Sequence, residues 1–354
     1  MNIKSFGHLA DGKEVFEFTL INKAGMQVKV INFGGIITSV LVPDLSGNLG
    51  DVVLGFDSLE EYIHDTNYIG AIVGRNANRI SGAVFMLDGI LYPLAKNNGN
   101  CNHHGGITGF NKVYWDIEPI QQNENQSLKL TYLSQDGEEG FPGNLQTTVI
   151  YTLTEDNSLL VEYSAITDKP TVVNLTQHSY FNLSAGNQKD ILSHDLQLFA
   201  SHFLPTAGEQ LPTGELKSVA GTVFDFMQPK HIGRDIQLPD EQLIAGKGYD
   251  HTWVIDHKEE SKIAKACCLS DANTGRKLDI FTTEPGIQVY TGNYLNGSGK
   301  GKNGESYSYR YGIGLETQHF PNSMNLPDFP SVRLNPGERY QSQTIYKFSV
   351  TNSQ

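Results

Sequence analysis

The chain has 354 residues, enough for two average domains, although large β-sandwiches and barrels of this length also form one unit. Its composition is 38% hydrophobic, 10% aromatic and 18% charged, which supports a sizeable core and excludes a disordered or fibrous chain. Acids outnumber bases 39 to 26, and the net charge of −13 argues against nucleic acid, an anionic membrane surface or a strongly anionic substrate as partner.

The first residues, Met1 to Gly7, lack an apolar stretch of signal-peptide length, and no later apolar run approaches a membrane span, so a cytoplasmic location is expected. Strand-like runs then follow at 26–31 and 36–42, closed by the turn residues Asp44-Leu45-Ser46-Gly47-Asn48. A short helical pattern covers 58–63, and Asp88-Gly89 marks a hairpin turn. Further strands are expected at 128–133, 147–153 and 159–166, with turns at Asp136-Gly137 and Gly143-Asn144. A second short helix is expected at 239–243, then a strand at 287–290 and a glycine-rich loop at 296–304. Asn335-Pro336-Gly337 turns the chain into a last strand at 344–350. Strands never alternate with long helices, which argues against doubly wound and TIM-type sheets. The expected architecture is all-β, a large antiparallel sandwich forming one domain over 1–354. Cys101, Cys267 and Cys268 are an odd set and not a disulfide framework. Adjacent cysteines in a strand point to opposite faces, so at least one of the last two belongs to the core.

Five segments carry the residue types of a chemical site. In Asn174-Leu175-Thr176-Gln177-His178-Ser179-Tyr180-Phe181-Asn182-Leu183 a histidine, the side chain that exchanges a proton near neutral pH, sits among amides, hydroxyls and rings. It is either a proton donor to a polyhydroxylated ligand or a satisfied strand residue. Gly74-Arg75-Asn76-Ala77-Asn78-Arg79-Ile80 places two arginines four apart, on one face of a strand or helix turn, as a polar pocket wall or as surface charge. Asn97-Asn98-Gly99-Asn100-Cys101-Asn102-His103-His104-Gly105-Gly106 reads as a ligand-approaching loop. A metal site is the competing reading, but adjacent histidines rarely reach one ion together and no H-x-H or H-x-x-x-H spacing accompanies them. Asp250, entering the strand-like Tyr249-Asp250-His251-Thr252-Trp253, is costly to bury unpaired and so either forms a salt bridge or binds hydroxyls. Glu316, in Gly312-Ile313-Gly314-Leu315-Glu316-Thr317-Gln318-His319-Phe320-Pro321, is either a base with a raised pKa or half of an ion pair with an arginine.

These segments, together with Asp51-Val52-Val53-Leu54-Gly55-Phe56-Asp57, Gly137-Glu138-Glu139-Gly140-Phe141-Pro142-Gly143 and Glu284-Pro285-Gly286-Ile287-Gln288 with Tyr290-Thr291-Gly292-Asn293, resemble the aldose 1-epimerase (galactose mutarotase) family. The motifs run in the family's order from about residue 30 to about residue 340, a highly specific pattern. The resemblance implies a galactose mutarotase-like supersandwich with few short helices and an open cleft for a monosaccharide. It implies Glu316 as base and His178 as acid in interconverting α and β anomers of free aldohexoses such as galactose and glucose. It further implies Asn78, Arg79, His104, Tyr180, Asp250 and Gln288 as sugar-binding residues. Neither proton transfer calls for a metal or organic cofactor, and none is expected; nor is a nucleic-acid or membrane partner.

Two positions depart from the family pattern. His103 stands where an apolar residue usually precedes His-Gly-Gly, which leaves open whether His103 or His104 faces the sugar. Asn322 replaces a common aspartate after the base motif, at a peripheral position. The rival readings are a hexose-6-phosphate 1-epimerase, which needs a basic phosphate subsite, and a non-catalytic sugar-binding module, which can dispense with the acid or base. A glycosidase using Asp250 with Glu316 is a third. The preferred sugar and the oligomeric state are not legible in the residues.

Overall fold

The computed structural model describes residues 1–257 and 262–351. Three large antiparallel sheets, with several two-stranded ones, build it. The N-terminal sheet is a meander of Asn2–His8, Glu14–Ile21, Gln27–Ile31, Ile37–Pro43 and Leu49–Asp51. The largest has nine strands in the order Asp116–Gln122, Asn125–Ser134, Leu145–Leu153, Ser158–Thr167, Tyr340–Val350, Arg276–Thr282, Ala264–Ser270, Asp195–Leu198 and Lys230–His231. Tyr340–Val350 thus returns from the end of the chain to join strands from its middle. The third sheet, of six strands, runs Tyr180–Phe181, Ile313–Gln318, Gly286–Tyr290, Asp250–Val254, His202–Leu204 and Lys217–Ser218, and it carries the site.

Alternating side chains hold the three sheets on one core. Arg276–Thr282 buries every second residue, and Leu145–Leu153 does so over most of its length. Val28 and Val40 from the first sheet, Leu128, Val149, Val161 and Tyr346 from the second, and Trp253, Ile287, Val289, Ile313 and Leu315 from the third belong to a single buried apolar cluster. The fold is all-β, as the strand patterning implies. Strands expected at 26–31, 36–42 and 287–290 fall within a residue of Gln27–Ile31, Ile37–Pro43 and Gly286–Tyr290. Those expected at 128–133, 147–153, 159–166 and 344–350 extend outward into polar ends that the ladder still pairs.

The two helices are one and a half turns each. Ser58 caps Leu59–His64 through a reciprocal capping box with Glu61. Asp240 caps Glu241–Gly246 by accepting from Gln242 and Leu243 amides, which shifts that helix two residues beyond the expected start. Asp88 and Gly89 both have positive φ (52° and 78°), the turn that matches the twist of the hairpin Val84–Leu87 and Ile90–Pro93. Cys267 is buried and its neighbour Cys268 half-buried, on opposite faces of Ala264–Ser270, and all three cysteines are free thiols. Among the described residues no helix is long and apolar enough to cross a membrane.

Arg75 corrects one expectation. It does not share a face with Arg79, because residues 74–78 form an irregular crossing and not a strand or helix turn. Its guanidinium points into the protein and donates to Ser134 Oγ (2.7 Å) and to the carbonyls of Ser134 (2.9 Å), Gln135 (2.8 Å) and Pro142 (2.9 Å). Burial lowers its pKa to about 10, which leaves it charged at neutral pH. This arginine pins the loop between Asn125–Ser134 and Leu145–Leu153. Arg75→Met takes this donor from the buried Ser134 and Pro142 carbonyls and from the part-buried Gln135 carbonyl, and is expected to cost about 3–5 kcal/mol. A thermal melt showing no loss of stability contradicts that role.

Candidate functional site

Residues directly paired across antiparallel strands share a face of the sheet. In the six-stranded sheet, Thr252 pairs with Gln288 and Gln288 with Glu316, while Asp250 pairs with Tyr290, Tyr290 with Gly314 and Gly314 with Tyr180. One face therefore carries Asp250, Gln288, Glu316 and Tyr180, while the alternate residues Trp253, Ile287, Val289, Ile313 and Leu315 fill the core. Continuing the Tyr180–Gly314 register by two residues brings His178 opposite Glu316. The side chains meet there, with His178 Nε2 at 3.4 Å from Glu316 Oε1 and both residues buried.

Above this pair opens a cavity of about 490 Å³, within the range of small-molecule sites. His178, Glu316, His104, Asn78, Arg79, Tyr180 and Asp250 all line it. Gln288 lies instead at a small adjoining pocket under the floor. Its amide takes a hydrogen bond from Thr252 Oγ1 (2.6 Å) and donates to Asp250 Oδ1 (2.6 Å), so it reaches the cavity through Asp250. Arg79 stands 3.8 Å from Asp250 Oδ2 and donates to Gln210 Oε1 (2.7 Å). The Tyr180 hydroxyl donates to the Asn67 carbonyl (2.9 Å), leaving its ring to face the cavity beside His178 (5.0 Å between centroids). Nothing in the described residues pairs Glu316 with an arginine; its close partner is His178.

Both histidines of the His-Gly-Gly loop line the cavity, their rings 3.7 Å apart. His104 is the one beside the pair, meeting His178 edge-on at 5.2 Å. A Cβ at Gly105 would overlap the Gly74 carbonyl and one at Gly106 the Glu139 carboxylate, so glycines are what let this loop close on the cavity. The Asn78 amide donates to His104 Nδ1 (3.1 Å), which puts the proton of the neutral ring on Nε2. One ligand atom each of His104, His178 and Glu316 falls within 4.8 Å of the others, the spacing of a candidate metal cluster. The tautomer opposes that use: ligation through Nε2 would require its proton to move to Nδ1, where the Asn78 N–H already points.

Burial dominates the electrostatics. It raises the Glu316 carboxyl to about 8, helped by the charge of Asp250 and opposed by Arg79. It lowers His178 to about 4 and holds His103 and His104 well below the usual imidazole range. This differs from an anionic glutamate beside a cationic histidine: burial pulls both toward their neutral forms, and the pair holds one proton between them.

Sequence reading did not single out several cavity residues, among them Gln210, Lys112, Tyr68 and Tyr294. Gln210 arrives on the hairpin Thr206–Ala207 and Leu211–Pro212, far from Arg79 in sequence. Lys112 donates to the carbonyls of Tyr62, Ile63 and Asp65, at the end of the first helix. Tyr68 and Tyr294 sit in loops where no period marks them. Asn67-Tyr68-Ile69-Gly70, just before the Gly74–Ile80 cluster, carried the one usable signal, an aromatic beside an amide and a glycine.

Comparison with known proteins places the chain in a family. The sequence pattern of the aldose 1-epimerase family matches residues 17–347. The chain belongs to the aldose 1-epimerase family. It is 41% identical over 345 residues to the galactose mutarotase of Bos taurus, covering 98% of this chain and 97% of that one. It is 39% identical over 340 residues to the aldose 1-epimerase of Escherichia coli strain K12, covering 96% of each. Among solved structures, the galactose 1-epimerase from Lactobacillus acidophilus NCFM superposes with a TM-score of 0.86 at 30% identity, covering 99% of both chains.

The shared proton gives this family member a definite pH signature. A single proton on the pair is lost above about pH 8, where Glu316 ionises beside neutral His178, and a second is gained below about pH 4. Turnover divided by KM is therefore expected to be flat between those limits and to fall on both sides. A profile with a limb near pH 6.5, the value of a solvated imidazole, contradicts the burial argument.

Proposed function

We propose that this aldose 1-epimerase interconverts the anomers of free aldohexoses such as galactose and glucose, with Glu316 as base and His178 as acid. The observation that carries the reading is the buried carboxyl–imidazole contact of 3.4 Å, on the floor of a cavity walled by hydroxyl-binding groups. In the forward half-reaction Glu316 takes the proton of the anomeric hydroxyl, the C1–O5 bond breaks as C1–O1 becomes a carbonyl, and His178 gives its proton to O5. The open aldehyde then rotates about C1–C2. Reclosure from the other face returns one proton to His178 and takes one from Glu316, so the pair ends as it began.

Burial suits this cycle. The neutral acid and neutral imidazole favoured by the site are the protonation states left after ring opening, so the protein stabilises the side on which the reaction is hardest to hold. A sugar hydroxyl donating to Glu316 Oε2, a buried oxygen with no protein partner, supports the carboxylate needed at the start. Asp250 accepts from ring hydroxyls, with Gln288 fixing its orientation, while Arg79, Asn78 and the Nε2–H of His104 donate.

A sugar phosphate fits poorly. Arg79 is engaged by Gln210, Lys112 by three carbonyls, and Asp65, Asp250 and Glu316 line the same cavity. A non-catalytic module has no need of two buried titratable groups in contact. Polarimetry on freshly dissolved α-galactose tests the reading. Wild type is expected to outrun buffer, and folded Glu316→Gln and His178→Asn each to lose about 10²–10⁴-fold. Equal rates for wild type and buffer, or either variant retaining full activity, sink the assignment. Galactose 6-phosphate is expected to mutarotate no faster with enzyme than without, and acceleration there favours the phosphate reading.

A further inference from the structure

The loop that carries Tyr68 is fastened at several points. Asp65 accepts from the amides of Asn67 (2.9 Å) and Ile69 (2.8 Å), and Lys112 Nζ donates to the Asp65 carbonyl (2.7 Å). The Tyr180 hydroxyl holds the Asn67 carbonyl (2.9 Å), and the Ala71 amide holds that of Tyr68 (3.1 Å). Between these anchors Tyr68 has φ of 58°, a left-handed conformation that an aromatic residue adopts only when its surroundings impose it. That backbone turns the ring onto three imidazoles. Its centroid lies 4.6 Å from His104, 5.8 Å from His103 and 6.0 Å from His178. A tyrosine merely covering the cavity wall needs neither the strained backbone nor its anchors.

We infer that Tyr68 is a positioning residue for the proton-transfer pair, whose ring backs His104 and His178 and supports the cationic, proton-donating form of His178 without itself exchanging a proton. The inference rests on the acid–base reading above. The groups facing His178 are Glu316 from Ile313–Gln318, His103 and His104 from the His-Gly-Gly loop, Tyr180 from its own segment, and Tyr68; Arg79 and Asp250 stand beyond them in the same cavity. Arg79 opposes a cation there. His103 and His104 are neutral. Apart from Glu316, the groups in ring contact that favour an imidazolium are the two phenol rings, whose negative faces attract a cation within about 6 Å. Tyr68 keeps its own proton, since burial pushes its hydroxyl up to about 12.

The consequence is a paired signature. If the ring supports His178⁺, its loss lowers the population of the ion-paired Glu316⁻/His178⁺ form by the same factor that it lowers the His178 pKa. Plateau turnover and the acid limb of the pH profile then move together. Polarimetric kinetics on galactose from about pH 2.5 to 9 with wild type, Tyr68→Phe and Tyr68→Leu read both, and histidine-selective NMR titration of the free enzyme over the same range reads the second without turnover. Tyr68→Phe, which keeps the ring, is expected to stay within about threefold of wild type. Tyr68→Leu is expected to lose about tenfold in kcat with KM within about threefold, its acid limb and His178 titration falling by about one pH unit. Should Tyr68→Leu not fold, Tyr68→Asn, which tolerates the left-handed backbone, takes its place. A rise in KM or a loss of rate with the acid limb unmoved overturns the inference while leaving the acid–base reading intact. Wild type no faster than buffer sinks the acid–base reading itself.

Discussion

Everything in the site depends on burying a carboxyl against an imidazole on the floor of the cavity. Each group alone would be expensive to bury charged. Together at 3.4 Å they need hold only one proton between them, and no net charge enters the interior. That economy explains why Glu316 and His178 have few other partners: Glu316 Oε2 and His178 Nδ1 are buried polar atoms without a protein partner, and the former is left to the cavity. A second carboxylate, Asp250, keeps Glu316 from ionising easily, while Arg79 limits the effect. On the proposed mechanism, this holds the site close to the balance point at which a sugar takes a proton from one side and returns it on the other.

The six-stranded sheet makes the contact possible because its two faces do different work. Strand Ile313–Gln318 is buried at every position, so its alternation is hidden from exposure alone. Its odd residues 313 and 315 pack in the apolar core, and its even residues 314 and 316 face polar partners on the neighbouring strand. Gly314 leaves room between Tyr180 and Tyr290, with a Cβ there falling 3.5 Å from both Tyr290 and the Glu316 carboxylate. Around the sheet, loops supply the rest, and hydrogen bonds to backbone help fix them: Asn97 clasps both backbone groups of His103, Glu139 takes the amides of Ile107 and Thr108, and Lys112 closes the end of the first helix. Well-anchored loops on a sheet are what the proposed two-proton transfer requires.

Much of this was legible in the residues. Runs of apolar, β-branched residues closed by turn chemistry placed Gln27–Ile31 and Ile37–Pro43 to within a residue, while the neighbouring strands Asn2–His8, Glu14–Ile21 and Leu49–Asp51 of the same sheet were not singled out. The two short helices were placed to within two residues of their starts, the second beginning later than expected because its cap is Asp240, one residue after Pro239. Arg75 and Arg79 were not separable by spacing. Their different fates, one buried in a loop and one in the cavity, follow from an irregular backbone that no period describes. Gln210 and Lys112 were invisible for a related reason: long-range hydrogen bonds carry no local pattern.

The sequence by itself determined the all-β class, the turn positions, the family, and the residue types available for proton transfer, because these rest on local periodicity, short-range turn chemistry and ordered motifs. Only the tertiary structure decided the electrical character of those residues and their neighbours. Whether Glu316 is an exposed anion or a buried acid near neutral pH, which nitrogen of His104 carries its proton, and whether Gln288 meets the cavity or the back of Asp250 all depend on which strands lie side by side. Register across a sheet joins residues more than a hundred positions apart, and desolvation and hydrogen bonding act on that neighbourhood and not on the order of the chain.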